Sequence, residues 1–303
     1  MSKPVFGIDL GGTKIEGVVL PDSDSIEPIA RIRVPTEKEK GAEHIANQIV
    51  KLVRLLEEES GIKAEKIGIG TPGAIDPPTG LMKNSNTTCL NGRPFRDELE
   101  AALNLPVVMA NDANCFAVAE ARLGVIRKAM PNARVVFGVI MGTGVGGGIV
   151  IDGKVINGAQ GIAGDWGHSY LDDSGGACYC GNTGCVETII SGPALERYYQ
   201  SLTGSKIVMK EILDRYKAWN DPAAIQTIER LIHFFGKATA NLINILDPDA
   251  IVLGGGLGNI DLLYTEGREA VKKFVFNPRL DTPFFRPVLG DSAGVFGAAM
   301  LVA

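Results

Sequence analysis

An α/β protein made of two related lobes is the fold class that the sequence predicts, and three observations carry it. Apolar strands run into glycine turns three times, at Gly11-Gly12, at Gly142 to Gly148 and at Gly254-Gly255-Gly256. Segments with apolar residues at helical spacing lie between those strands, the pattern of a sheet covered by helices. Near the start the chain reads FGIDLGGT, and from Phe137 it reads FGVIMGTG. The match marks two halves of one plan, each expected to aim a glycine turn at one shared phosphate.

Length and composition agree with this. The chain has 303 residues, 45% hydrophobic and 21% charged, enough for roughly two domains with their own cores. A net charge of −5, from 30 basic and 35 acidic residues, with no Lys/Arg cluster, argues against nucleic acid or an anionic membrane as partner and leaves small solutes. No apolar run approaches the roughly 20 residues needed to span a bilayer, and MSKPVFGIDLGG enters a strand without a signal core. A cytoplasmic location is expected.

The first strand, Val5 to Leu10, holds Asp9 near its end, and Gly11-Gly12-Thr13-Lys14 follows before a second strand through Gly17 to Leu20. Gly11 and Gly12 let the backbone approach a ligand, while Thr13 and Lys14 offer a hydroxyl and a cation to phosphate oxygens. Asp9 suits a magnesium ion held through water. A plain Gly-Gly hairpin would read the same way. From Gly41 to Ser60, Ile45, Ile49, Leu52, Val53 and Leu56 predict an amphipathic helix, with His44 solvated at its start. A strand over 66–70 ends in Thr71-Pro72-Gly73. The stretch KNSNTTCLNGRPF (83–95) precedes a short helix at 97–103; its asparagines suit a polyol and equally suit ordinary turns.

The next strand, 105–110, delivers Asn111-Asp112-Ala113-Asn114 to a helix over 115–123. At such a junction Asp112 is either the helix N-cap or a catalytic base, ionised at neutral pH and able to accept a hydroxyl proton during phosphoryl transfer. The second half opens with a strand over 135–141, a glycine loop over 142–148 and a return through Asp152-Gly153 to Val155-Ile156. Helices are predicted from about Pro193 and from Pro222 to Leu246. In the second, Ile225, Ile228, Leu231, Ile232, Phe235, Leu242 and Ile245 share one side and His233 lies on the surface. The strand 250–253 feeds Gly254-Gly255-Gly256, a third turn where a nucleotide can lie.

One stretch breaks the pattern. Gly164 to Glu187, GDWGHSYLDDSGGACYCGNTGCVE, holds one of three histidines and three of five cysteines with little apolar periodicity. His168 with Cys178, Cys180 and Cys185 offers an imidazole nitrogen and three thiolates, a zinc-type donor set. Cys89 and Cys115 have no sequence partner and read as reduced, small apolar residues.

Taken in order, DLGGTK, TPG, NDAN, GTGVGGG, GH followed by CxCGxxGCxE, and LGGG resemble the ROK sugar kinases over nearly the whole chain. The resemblance implies a duplicated actin-like ATPase (ribonuclease H-like) fold of two lobes with an interlobe cleft. The small lobe would be 1–112, completed by a C-terminal helix at about 291–303; the large lobe would be 113–290 with the zinc segment at 164–187. It implies Asp112 as the base, with Gly73, Asn86, Asn111, Asp165, His168 and Glu187 binding sugar. Asp9, Gly11, Gly12, Thr13 and Lys14, with Gly142, Thr143 and Gly144, would surround ATP phosphates and Mg2+, and Gly254, Gly255 and Gly256 would lie by adenosine. His168, Cys178, Cys180 and Cys185 would hold a structural Zn2+, leaving the second ring nitrogen of His168 to donate to the sugar.

Asp165 departs from the family's G-E-x-G-H pattern, in which Glu grips the sugar near its anomeric carbon. Losing one methylene withdraws the carboxylate by roughly a bond length. The segments KNSNTTCLNGRPF and NILDPDAIVLGGG resemble fructokinases and N-acetylglucosamine kinases. The first expectation is a kinase of the 6-hydroxyl of fructose or a simple hexose such as glucose or mannose; the alternative is an N-acetylhexosamine kinase, N-acetyl filling the space left at Asp165. A non-catalytic sugar sensor is a third reading. The repressors of the family carry a DNA-binding segment before DxGGT, and only eight residues precede Asp9 here. A homodimer is expected.

Overall fold

The computed structural model describes residues 3–303. It divides into two compact units. The first takes the chain up to Arg134, then Gly148–Gly164 and Pro287–Ala303; the second takes Val135–Gly147 and Asp165–Arg286.

In the first unit, β1 (Val5–Leu10), β2 (Lys14–Leu20) and β3 (Ala30–Pro35) form an antiparallel meander, followed by α1 (Ala42–Ser60) and β4 (Ile67–Thr71). A small hairpin, β5 (Ala74–Ile75) with β6 (Met82–Lys83), and α2 (Phe95–Leu103) lead to β7 (Val107–Asn111), α3 (Asp112–Arg122) and α4 (Val125–Ala129). The sheet order is β3-β2-β1-β4-β7, with β4 parallel to both β1 and β7. Ile45, Ile49, Leu52 and Leu56 of α1 are fully buried with Phe6, Ile8 and Ile15 in one core. The period of the helix thus matches the face it covers.

The second unit opens with β8 (Val135–Met141) and the start of β9 (Val145–Ile151); β9 from Gly148 onward and β10 (Lys154–Val155) belong to the stretch assigned to the first unit. After the cysteine segment come α5 (Val186–Ile190), α6 (Gly192–Thr203), α7 (Met209–Lys217), α8 (Pro222–Leu246), β11 (Ala250–Gly254), α9 (Glu266–Lys272) and β12 (Phe284–Phe285). The second sheet has the order β10-β9-β8-β11-β12. Asp221 caps α8 by accepting the N–H groups of Ala223 and Ala224, and Pro222 fills the first turn.

The last helix, α10 (Ala293–Met300), returns to the first unit and packs on α3, β1 and β4. Its approach depends on absent side chains. A Cβ at Gly68 of β4 would strike the carbonyl oxygen of Ala298, and one at Gly297 would strike that of Cys115 on α3.

Four expectations change. The boundary placed at 112/113 lies at 134/135, because α3 and α4 stay with β7 and α10 in the first unit, and 148–164 belongs there too. Residues 145–148 of the expected glycine loop are strand. Helix α3 begins at Asp112, not at 115. Ile245, assigned to the buried side of α8, is 88% exposed, whereas Ile228 and Leu231 are fully buried. No helix among the described residues is long and apolar enough to cross a membrane.

Candidate active site

The parallel strands of the first unit bring its predicted site residues to one edge. Asp9 pairs in register with Gly70, Gly70 with Ala110, and Thr71 with Asn111. Asn111, not Asp112, is the N-cap of α3: its side-chain oxygen accepts the N–H of Asn114 at 2.7 Å. Capping therefore uses Asn111's acceptor, leaving its amide donors, and leaves the Asp112 carboxylate with a single local bond from the Ala113 N–H at 2.8 Å. One side of Asp112 stays open to solvent, while protein atoms crowd the carboxylate enough that burial pushes its pKa up. Burial also raises Asp9, to about 6, aided by the negative charges of Asp112 and Glu16 and opposed by Lys14. A half-buried carboxylate poised to shed its proton above pH 6 fits a hydrated divalent cation.

Gly73 turns with φ +87°, and a Cβ there would press on Lys83 and Ser85. This close contact sets the TPG turn against the asparagine loop, where Asn91 accepts the Ser85 N–H and donates back to the Ser85 carbonyl. Asn86 follows directly and is exposed. At the Gly11 turn, the Gly11 N–H donates to the Lys14 carbonyl at 3.0 Å and the Thr36 hydroxyl to the Gly11 carbonyl at 2.7 Å. Lys14 lies 3.8 Å from the buried carboxylate of Glu16, which Arg31 and Arg33 also hold.

In the second unit, backbone bonds shape the cysteine segment: Cys178 N–H to Asn182 O, Gly181 N–H to Cys178 O, Gly184 N–H to Gly176 O. Trp166 is buried, edge-on to Phe137, and donates to the Gly146 carbonyl at 2.7 Å. His168, Cys178, Cys180 and Cys185 bring one donor atom each within 4.8 Å of one another. His168 Nδ1 is 3.6 Å from Cys178 Sγ, and Cys180 Sγ is 3.6 Å from Cys185 Sγ. Tetrahedral zinc with Zn–S near 2.3 Å needs S···S of about 3.8 Å, so the donor set fits. Burial and the crowding of the neighbouring thiols push the Cys185 pKa up, which a cation among them would reverse.

Glu187 accepts the Val145 N–H at 2.9 Å, and a Cβ on Gly144 would press on the same carboxylate. The carboxylate expected at the sugar is thus tied to the glycine turn. Asp165 stands just before the helical turn of Trp166 and His168. The ring nitrogen expected to meet sugar, His168 Nε2, lies 2.9 Å from the Tyr179 hydroxyl.

A cavity of about 840 Å³ opens in this unit beside Gly142, Thr143 and Gly256, walled by Met209, Leu213, Tyr216 and Ile260. Gly255 bends at φ +77° beneath Met141, and Gly254 is sealed inside β11. Of those three glycines only Gly256 faces the cavity; Gly144 faces Glu187 instead. Two parts of this site carry little signal in the sequence: α7, although Met209, Ile212, Leu213 and Tyr216 have helical spacing, and Tyr179, which lies between two of the cysteines.

A profile of the ROK family matches residues 5–303. The chain is 37% identical over 309 residues to an N-acetyl-D-glucosamine kinase from Pasteurella multocida and 34% identical over 306 residues to one from Aliivibrio salmonicida, covering 98% of each chain in both cases. Among solved structures it resembles a ROK hexokinase from Thermus thermophilus (TM-score 0.87, 34% identity, 99% of this chain and 97% of that one). It also resembles a ROK family glucokinase from Streptomyces griseus in complex with glucose and AMPPNP (TM-score 0.74, 30% identity, 99% of both).

Proposed function

The chain belongs to the ROK family, and from that premise we propose that it is an ATP-dependent kinase of N-acetylglucosamine, transferring the γ-phosphoryl group to the 6-hydroxyl. The observation that carries the chemistry is the division of labour at the α3 start: Asn111 caps the helix, so Asp112 is left to take a proton. Full-length similarity to N-acetylglucosamine kinases favours the acetylated sugar over fructose, and the short Asp165 side chain leaves room beside the ring for an acetamido group.

Asp112 accepts the hydroxyl proton as the oxygen attacks in line, and the Asn111 amide donates to a neighbouring sugar hydroxyl. Gly73 and Asn86 are assigned to sugar binding as well, and Glu187, His168 and Asp165 keep the sugar-binding roles that the family resemblance implies for them. Backbone N–H groups of the Gly11 and Gly142 turns, with Thr13, Lys14 and Thr143, hold the phosphates; the apolar wall of Met209, Leu213 and Tyr216 takes the adenine. Asp9 would hold Mg2+ through water, which supplies charge neutralisation at the phosphates. The His168 and cysteine set would hold a Zn2+ that keeps the His168 ring in place.

A coupled ADP-release assay over N-acetylglucosamine, N-acetylmannosamine, glucose, mannose and fructose tests this. N-acetylglucosamine should give the highest kcat/KM, by about tenfold or more; a higher value for fructose or glucose would overturn the substrate assignment while leaving the kinase.

A further inference from the structure

We propose that Tyr179 is a sugar-specificity residue whose hydroxyl relays the His168 ring to the substituent at C2 of the sugar and whose ring supports that substituent's methyl group. The inference rests on the kinase reading above and deepens it. The two nitrogens of His168 face different tasks: Nδ1 lies 3.6 Å from Cys178 Sγ, and Nε2 lies 2.9 Å from the Tyr179 oxygen. The two rings meet edge to face, 5.1 Å apart at 88°. A neutral imidazole has one proton, and a metal ion taken up on Nδ1 would place that proton on Nε2. In that tautomer Nε2–H would donate to the phenol oxygen, and the phenol O–H would be left to donate outward. A ligand approaching His168 meets a phenol.

Packing does not explain this side chain. Tyr179 is 83% exposed, which is ordinary for an isolated aromatic, but its polar tip is tied to a histidine assigned to the sugar. The chemistry selects one substituent class. An acetamido group presents a carbonyl to accept the O–H and a methyl to lie on the ring; a bare 2-hydroxyl uses at most the first.

Tyr179→Phe and Tyr179→Ala decide the matter when metal content, calorimetric sugar affinity and steady-state kinetics are measured together. Tyr179→Phe should weaken N-acetylglucosamine binding about five- to tenfold and Tyr179→Ala about 30-fold. Glucose should change less than about threefold, with zinc and the KM for ATP retained. Equal losses on both sugars would reduce Tyr179 to a prop for His168, no loss would remove it from the site, and loss of metal would make it part of the zinc knuckle; each overturns the proposal. A wild-type enzyme that prefers another hexose sinks the substrate reading instead, and the ratio of the two affinities in the variants still decides Tyr179.

Discussion

In the first unit Phe6-Gly7-Ile8-Asp9-Leu10 runs into a turn at Gly11, and in the second Phe137-Gly138-Val139-Ile140-Met141 runs into one at Gly142. Both turns close through the first glycine's N–H, to Lys14 O at 3.0 Å and to Gly144 O at 2.9 Å. What differs is the charge around them. The first is flanked by Asp9 and Lys14, the second at the same places by Ile140 and Val145, and its one carboxylate, Glu187, arrives from α5 to hold the Val145 N–H. One strand-and-turn plan thus recurs in both halves, with ionisable side chains at two positions of the first turn and apolar ones at the matching positions of the second.

The largest effect should come from removing the proton acceptor beside the charged turn. Asp112→Asn should lower kcat about 10³-fold with thermal melting nearly unchanged, because Asn111 does the capping. Stopped-flow or discontinuous assays down to that level check it. Retention of more than about a tenth of kcat would falsify the role of Asp112 and with it the chemical half of the comparison.

Asp9 sharpens the same contrast through pH. With a pKa of about 6, it is neutral below that value and loses its attraction for a hydrated cation, so the KM for Mg·ATP should rise about tenfold between pH 6 and 5 and be flat above 7. In Asp9→Asn the KM should be high at every pH. Linkage has the opposite sign. A carboxyl whose folded pKa is raised contributes stability below its unfolded value, and loses it as pH rises through 6. Asp9→Asn should therefore be more stable at pH 8, by on the order of 2 kcal/mol. On the other turn, Glu187→Gln keeps the shape but weakens a charge-assisted bond, and should raise the sugar KM about tenfold while moving the ATP KM less than threefold.

Much of this was legible in the residues. Strand–glycine punctuation and helical periodicity placed β1, β4, β8, β11, α1 and α8, since burial imposes those periods. The zinc-type donor set was visible because three thiols and an imidazole rarely fall so close by chance. Hidden features depended on contacts distant in sequence. Whether Asn111 or Asp112 caps α3 is a question of side-chain geometry that composition leaves open. Ile245 follows the period of α8 but is its next-to-last residue and is left exposed. Tyr179 carries no spacing signal at all; only the position of the His168 ring gives its hydroxyl a role.

The smallest effects should come from the turns themselves. A methyl added at Gly11 would lie 2.8 Å from the Lys14 carbonyl oxygen, the atom that accepts Gly11's own N–H, whereas one at Gly142 meets at nearest the Gly256 nitrogen at 3.7 Å, an ordinary contact. Neither glycine has a positive φ, so space alone separates them. Gly11→Ala should cost about 1–3 kcal/mol by prying open the turn that carries Thr13 and Lys14. Gly142→Ala should leave stability unchanged or raise it by up to about 1 kcal/mol, through lost freedom of the unfolded chain. Its methyl would nevertheless stand at the wall of the 840 Å³ cavity, so the ATP KM should rise roughly threefold with the sugar KM fixed. Denaturant melts and paired KM measurements on the two variants separate these outcomes. Equal destabilisation would mean that the second turn is held as tightly as the first, and that its freedom from charge does not leave it freer to receive a ligand.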